Sequence, residues 1–272
     1  MTPTLHFIKL GGSLITDKNR PLTPRPLTIQ RLAAEIARAY AARPDQTLII
    51  SHGSGSYGHA VGRRYGTREG VHDRAGWQGF AQTGYVAAQL NRLVLGALLC
   101  AGLPAISLAP SALAQCRDGR IAHFHAAPIR RALEAGLVPL VFGDVAFDET
   151  RGGVIVSTEQ VLVALASHWP PAHISLVGVV DGVYDADPLS DPQARRIPTI
   201  TLADLPELSS HLQGSHGIDV TGGMLSKVQA MAELVRQLPQ TQVHLLSGEI
   251  PGRLERHIRQ IEDPLGTTLR AA

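Results

Sequence analysis

Three lysines, a histidine and an aspartate stand beside glycine-rich turns in this chain, and residues of these types could together handle phosphate. Lys9 and Lys18 flank the Gly11-Gly12-Ser13 turn of IKLGGSLITDK, residues 8 to 18. Glycines let a backbone approach a ligand closely, and exposed amides in such a turn can cradle phosphate oxygens. Two ammonium groups converging on one phosphoryl group would offset the charge that builds up in transfer. A Walker A loop (Gly-x4-Gly-Lys-Ser/Thr) is absent. Alone, the segment reads equally as a tight strand–helix turn with solvated lysines.

The segment SHGSGSYGH, residues 51 to 59, follows a short strand and opens a helix. Ser54, Gly55 and Gly58 then lie where a nest of amides and the positive end of a helix meet, which suits an anion. His59 comes about one helical turn later. An imidazole there could donate to a phosphate, and a bound dianion would raise its pKa. A single histidine more ordinarily has a structural or exposed role, which is the reading given to His52.

Three further segments are weaker. In VFGDVAFDE, residues 141 to 149, a buried strand ends in Gly143-Asp144. That carboxylate could orient a catalytic lysine or act on a Mg–nucleotide indirectly, or it could simply form a turn. In VVDGVYDADP, residues 179 to 188, Asp181, Tyr184 and Asp187 could wrap the base and ribose of a nucleotide, or could make an ordinary strand exit. In GIDVTGGMLSK, residues 217 to 227, Gly222-Gly223 precede a helix with Lys227 in about its first turn. The helix dipole disfavours a cation there unless an anion lies between. A surface lysine on an amphipathic helix is the plainer alternative.

These segments need a scaffold, and the hydrophobic pattern supplies one. Strands are expected at Leu5–Leu10, Leu48–Ser51, Ala105–Leu108, Leu137–Phe142, Val154–Val156, Ile174–Val180 and Val243–Leu246. Helical spacing runs over Thr28–Ala42, Trp77–Ala101, Ala126–Ala135, Thr158–Ser167 with Ser157 as N-cap, Met224–Leu238 and Pro251–Ile261. Asp118-Gly119 reads as a hairpin turn. Strands alternating with helices imply a mostly parallel sheet covered on both faces, with ligands beyond the carboxyl ends of the strands.

Composition narrows the function classes. The 272 residues are 44% hydrophobic, enough for a sizeable core, and suggest one domain with two lobes. Twenty-five basic against 23 acidic side chains, with no basic run, argue against a nucleic-acid binder. Cys100 and Cys116 lie in unrelated contexts and read as reduced thiols of a cytoplasmic protein. No apolar run reaches membrane-spanning length, and the one at the N-terminus is too short for a signal peptide.

The five segments, in this order, resemble the amino acid kinase family, which includes acetylglutamate, aspartate, uridylate, glutamate 5- and isopentenyl phosphate kinases. The resemblance implies a three-layer αβα sandwich with a mostly parallel central sheet. An acceptor-binding lobe would span residues 1–170 and a nucleotide-binding lobe residues 171–272, in one continuous domain. HGSGSYGH is most similar to the HGGGxFGH of the isopentenyl phosphate kinases, whose final histidine is expected to hold the acceptor phosphate. By that likeness Lys9, Lys18, His59, Asp144 and Lys227 are catalytic. Ser54, Gly58, His59, Phe80, Val86 and Ser157 would bind the acceptor, with Trp77, Tyr85 and Leu90 as further candidates for an apolar tail pocket. Lys9, Gly11, Gly12, Ser13, Gly55, Asp181, Tyr184, Asp187, Gly222, Gly223 and Lys227 would bind the nucleotide. ATP and Mg²⁺ are implied as cofactors and a homodimer as the assembly. No dedicated metal-ligand set is expected. The pattern is broken at Ser54 (usually Gly), Phe142 (often His), Ser157-Thr158-Glu159 (usually Ser-Gly-Asp), Val177–Val180 and Leu225. A phosphonate such as fosfomycin, or UMP, is an alternative acceptor on the same fold. A non-catalytic nucleotide sensor is the rival of a different class.

Overall fold

The protein is described by a computed structural model covering residues 4–186, 191, 193–206, 208, 220–263 and 265–272, without the side chains at 59, 60, 63, 220–223 and 225. Its elements are β1 (Thr4–Leu10), a one-turn α1 (Gly12–Ile15), α2 (Pro26–Ala42), β2 (Gln46–His52), α3 (Gly55–Tyr65), α4 (Arg74–Cys100), β3 (Ala105–Ser107), a short α5 (Pro110–Leu113), β4 (Ala114–Arg117), β5 (Arg120–Phe124), α6 (Ala127–Glu134), β6 (Val138–Phe142), β7 (Asp144–Asp148), β8 (Gly152–Val156), α7 (Thr158–His168), β9 (His173–Gly178), β10 (Val183–Tyr184), β11 (Arg196–Ile197), β12 (Thr199–Thr201), α8 (Val220–Gln237), β13 (Gln242–Ser247), α9 (Arg253–Arg259) and β14 (Thr267–Arg270).

Eight strands form one sheet in the order β12-β14-β13-β9-β1-β2-β6-β3, parallel throughout except for the β13–β14 pair. Side chains alternate across it. Phe7, Ile49, Ile174 and Val243 meet Val161 and Leu165 of α7 and Val228, Met231 and Val235 of α8. Ile8, Leu10, Ile50 and Val177 meet Ile29 and Ile36 of α2, Leu90 and Val94 of α4, and Leu254 and Ile258 of α9. These two cores make the expected αβα sandwich.

A second sheet, β5-β4-β7-β8, contains both hairpins. Asp118 (φ 50) and Gly119 (φ 77) supply the two positive φ angles that the β4–β5 turn requires. The Gly119 carbonyl accepts from Gln160 Nε2 at 2.8 Å, which ties this hairpin to the first turn of α7.

Several boundaries differ from the sequence reading. The Val220 start of α8 puts Gly222 and Gly223 inside its first turn and Lys227 in its third. Each glycine costs about 1 kcal/mol in a helix interior, and the buried stripe from Val228 to Val235 outweighs this. Strand β9 stops at Gly178, whose carbonyl accepts from Gly248 N at 2.8 Å. Helix α9 starts only after Gly252, which has φ 79. Strand β14, which lies between β12 and β13, has no counterpart among the strands expected from the sequence. The strand expected to end in Gly143-Asp144 stops at Phe142, and Asp144 opens the next strand, β7.

Among the described residues no helix is long and apolar enough to cross a membrane. Cys100 is exposed and Cys116 buried, and both are unpaired.

Candidate active site

Four glycines just past the carboxyl ends of parallel strands form a row. Gly11 N donates to Val177 O (2.7 Å), Gly53 N to Leu10 O (3.0 Å), Gly143 N to His52 O (3.2 Å) and Gly248 N to Gly178 O (2.8 Å). The exits of β1, β2, β6, β9 and β13 are thereby held at one sheet edge, where the parallel topology puts a ligand site.

The first two turns touch backbone to backbone. A Cβ on Gly12 would fall on the Gly55 amide, and one on Gly53 would come within 3.0 Å of Gly12 N. Gly55 has φ +51 and lies against the Thr16 side chain. Thr16 Oγ1 donates to Gly12 O (2.7 Å) and accepts from Ser56 N (2.9 Å). Gly12 and Ser13 begin the single turn of α1, so their N–H groups have no intrahelical partner. Ser54 precedes α3 without capping it through its side chain, and a Cβ on Gly58 would collide with Ser54 Oγ. His59 lies on α3, with its side chain outside the described residues.

Lys9 shares a sheet face with Phe7, so its side chain rises toward α7. Its ammonium lies 2.6 Å from Glu159 Oε1, with the side chains only 7% and 17% exposed. Glu159 is in the first turn of α7, where a carboxylate suits the helix dipole. Ser157 caps that helix in a reciprocal box with Gln160. Burial pushes the Glu159 carboxyl up, but Lys9, through charge and hydrogen bond, and Lys227 bring it net below the ordinary value. Lys9 is thus in contact with this carboxylate, and Lys227 is near enough for its charge to act on it. Glu159 was visible in the sequence only as a departure from Ser-Gly-Asp.

Lys18 is not part of that group. It lies exposed in the turn after α1 and pairs with no described carboxylate. Its loop is nevertheless tied to the glycine turn: Thr23 N donates to Ser56 Oγ at 3.3 Å, and Leu22 N to Ser56 O at 3.5 Å.

Among the described contacts, the Asp144 carboxylate is engaged by backbone amides. Its carboxylate accepts from Ser111 N at the start of α5 (3.1 Å) and from Val145 N (2.8 Å). Burial raises its pKa against these hydrogen bonds. The residue that pairs with Lys9 is Glu159.

The proposed tail pocket is narrower than the sequence suggested. Phe80 packs with Trp77 (5.4 Å between ring centroids) and Phe147 (5.2 Å), against Val71, Val145 and Ile155. Val86 and Leu90 belong to the core under α2, and Tyr85 is 64% exposed. The 100° advance per residue along α4 sends these side chains in different directions.

Asp181 and Tyr184 are engaged with one another. Tyr184 Oη donates to Asp181 Oδ1 at 2.6 Å, and Arg196 Nη1 lies 3.1 Å from Asp181 Oδ2. Arg253 approaches the same oxygen at 3.5 Å. Burial opposes ionisation of Asp181, but the Tyr184 hydrogen bond and the two arginines leave its pKa lowered. Asp187 lies outside the described residues, as do residues 217–219 of the lysine-bearing segment.

Comparison with known proteins bears on the family and the fold. The chain is 35% identical to the isopentenyl phosphate kinase of Methanothermobacter thermautotrophicus, over 92% of this chain and 93% of that one. It is 32% identical to the isopentenyl phosphate kinase of Haloferax volcanii, over 93% and 99%. A crystal structure of an isopentenyl phosphate kinase superposes with a TM-score of 0.81 at 30% identity, covering 97% of this chain and 99% of that one. A product complex of the Thermoplasma acidophilum isopentenyl phosphate kinase gives 0.80 at 25%, covering 98% and 100%. The description "Amino acid kinase family" matches residues 5–247, and the chain belongs to that family.

Proposed function

We propose that the protein is an ATP-dependent kinase that converts isopentenyl phosphate to isopentenyl diphosphate. The observation that carries this reading is the Lys9–Glu159 pair at the sheet edge where two glycine turns meet, with the Lys227 charge also acting on Glu159. The similarity to isopentenyl phosphate kinases along nearly the whole chain selects the acceptor.

A phosphate monoester is largely ionised near neutral pH, so no strong general base is needed. An oxygen of the acceptor phosphate attacks the γ-phosphorus of ATP in line. A new P–O bond forms, the bond to the β–γ bridging oxygen breaks, and ADP leaves. The chain's task is to bring two anions together and to stabilise the moving charge. Lys9 and Lys227 supply fixed positive charge, and Glu159 holds them apart and oriented. The amides of Gly12, Ser13 and Gly55 donate to phosphoryl oxygens, while Gly11, whose N–H is taken by Val177 O, shapes the turn. Lys18 reaches the transferred group from its loop, and His59 holds the acceptor phosphate. Ser54, Gly58 and Ser157 border that site, with Phe80, Trp77 and Phe147 around the apolar tail. Val86 supports α4 from the core side.

The nucleotide lies over residues 171–272 and the acceptor over residues 1–170, with Asp181, Tyr184, Asp187, Gly222 and Gly223 on the nucleotide side. Mg²⁺ takes most of its ligands from phosphate and water in such sites. When bound it would neutralise phosphate charge. A cytoplasmic homodimer completes the reading.

Acceptor-dependent ADP release tests it, with isopentenyl phosphate, UMP and fosfomycin as acceptors. Preference for either of the latter two reassigns the acceptor, and ATP binding without turnover favours a sensor. His59→Ala should reduce the efficiency of acceptor use much more than ATP binding, and an unchanged value would remove His59 from the mechanism.

A further inference from the structure

His52, the last residue of β2, takes no part in the chemistry above, yet three segments of the site meet on it. Its backbone carbonyl accepts from Thr158 Oγ1 (2.9 Å), next to Glu159, and from Gly143 N (3.2 Å), next to Asp144. Its ring is fully buried and stacks on Phe142, with centroids 5.5 Å apart and planes 5° from parallel. One ring nitrogen, Nδ1, faces the Gly53 carbonyl at 3.1 Å. The other, Nε2, faces the Asn91 amide nitrogen at 3.1 Å.

The direction of this chain of bonds follows from the Gly53 carbonyl, which can only accept, so Nδ1 carries the ring proton and donates to it. Nε2 must then accept from the Asn91 NH₂ group, which leaves Asn91 Oδ1 to accept from Ser107 Oγ–H at 2.5 Å. Asn91 is 2% exposed, so water does not compete for the bond. The ring stays neutral at working pH, because burial brings its pKa down to about 4, against the opposing Gly53 hydrogen bond and with help from the Lys9 charge.

We propose that His52 is a positioning residue: the Ser107–Asn91 pair fixes its tautomer, and the Nδ1–H bond to Gly53 sets the glycine turn relative to the Lys9–Glu159 pair. The Gly53 N–H is held by Leu10 O, and the Nδ1–H bond adds a hold on the carbonyl of the following peptide, where glycine itself resists rotation least. This deepens the phosphoryl-transfer reading, and only its kinetic readout rests on it.

Two measurements test the proposal. Long-range ¹H–¹⁵N NMR of the histidine rings, with His52 assigned by difference from His52→Gln, reads the tautomer without any substrate. A neutral ring protonated on Nδ1 is expected, and the Nε2–H form would overturn the proposal. Kinetics of Asn91→Leu and the milder Ser107→Ala read the consequence. Losing this hydrogen bond should raise the acceptor KM about tenfold while the KM for ATP stays within about twofold. Folded variants that lose the single tautomer yet keep the wild-type acceptor KM would also overturn it. In Asn91→Asp a carboxylate faces Nε2. The ring then keeps its Nδ1–H only while protonated, so the acceptor KM should rise with pH in this variant and not in the wild type. Should the wild type release no acceptor-dependent ADP, the acceptor reading fails separately. The glycine turn is then read by its affinity for inorganic phosphate, where tenfold weaker binding in Asn91→Leu supports the proposal and equal binding overturns it.

Discussion

The Lys9 ammonium and the Glu159 carboxylate, 150 residues apart in the chain, meet at 2.6 Å across the carboxyl edge of the sheet. Removing one member of a buried pair strands the other charge, which costs about 3–5 kcal/mol. Lys9→Met should therefore lower the melting temperature and also reduce kcat by about 10²–10³, the usual loss for one donor aimed at developing charge. Glu159→Gln keeps a hydrogen-bond acceptor for Lys9, so its stability loss should be smaller while kcat still falls. The folded-state pKa of Glu159 is lowered, so the pair's contribution is present above the ordinary glutamate range and is lost as pH falls through the lowered value. Melting curves between pH 7 and pH 3 would show this as a steeper acid loss in the wild type than in Glu159→Gln.

Lys18 separates fold from chemistry. Its exposed turn contributes no described ion pair, so Lys18→Ala should change stability by less than about 0.5 kcal/mol. If the loop tethered to Ser56 brings this ammonium to the transferred group, kcat should fall about tenfold or more. An unchanged kcat would take Lys18 out of the reaction.

Phe80 should govern acceptor length. It lies between Trp77 and Phe147, and its ring approaches Gly153 so closely that a Cβ there would come within 2.6 Å. Phe80→Ala should cost about 3–5 kcal/mol and leave space beside the apolar tail. The ratio of kcat/KM for a ten-carbon over a five-carbon allylic phosphate should rise. A ratio equal to wild type in a folded variant would place the tail elsewhere.

A second group of imidazoles lies at the opposite end of the strands. His6 is fully buried, and Ser175 Oγ bridges its Nε2 and that of His257 at 2.8 Å each. His173 Nδ1 lies 3.2 Å from His244 Nε2, and Thr268 Oγ1 lies 3.2 Å from His244 Nδ1. Burial lowers all four, and repulsion from neighbouring imidazoles adds to it for His6, His244 and His257, with His257 near 4 and His244 near 3. Arg43 adds to the lowering, while Asp263 and Glu262 oppose it only for His257 and His173. An unfolded histidine takes up its proton near pH 6.5, so stability is complete above that value and declines as pH falls toward 4 and 3. The melting temperature should drop between pH 7.5 and 5.5, and drop less in His244→Gln. Parallel slopes would rule the cluster out as the cause.

Local signals made much of this legible. Strands ending in glycine, the Ser157 cap with its Gln160 partner and the Asp118-Gly119 turn could be read because each depends on residues within a few positions. The partner of Lys9 could not, because it is set by how β1 and α7 pack, and attention went to Asp144, which shares its segment with a conspicuous glycine. Helix α4 was found, but which of its residues face Phe147 and which face α2 depends on its rotation about its axis. The imidazole layer draws on β1, β9, β13 and α9, and no stretch of sequence announces it. Strand β14 is four residues long, too short for alternation to register.

The backbone contact between Gly12 and Gly55 also sets a rule for redesign. A side chain grafted onto either position displaces both turns, so random libraries covering residues 11 to 16 or 53 to 58 would consist chiefly of inactive clones. Diversity spent on Trp77, Phe80 and Phe147, where side chains meet only other side chains or a glycine, should reshape what the enzyme accepts while sparing the catalytic frame.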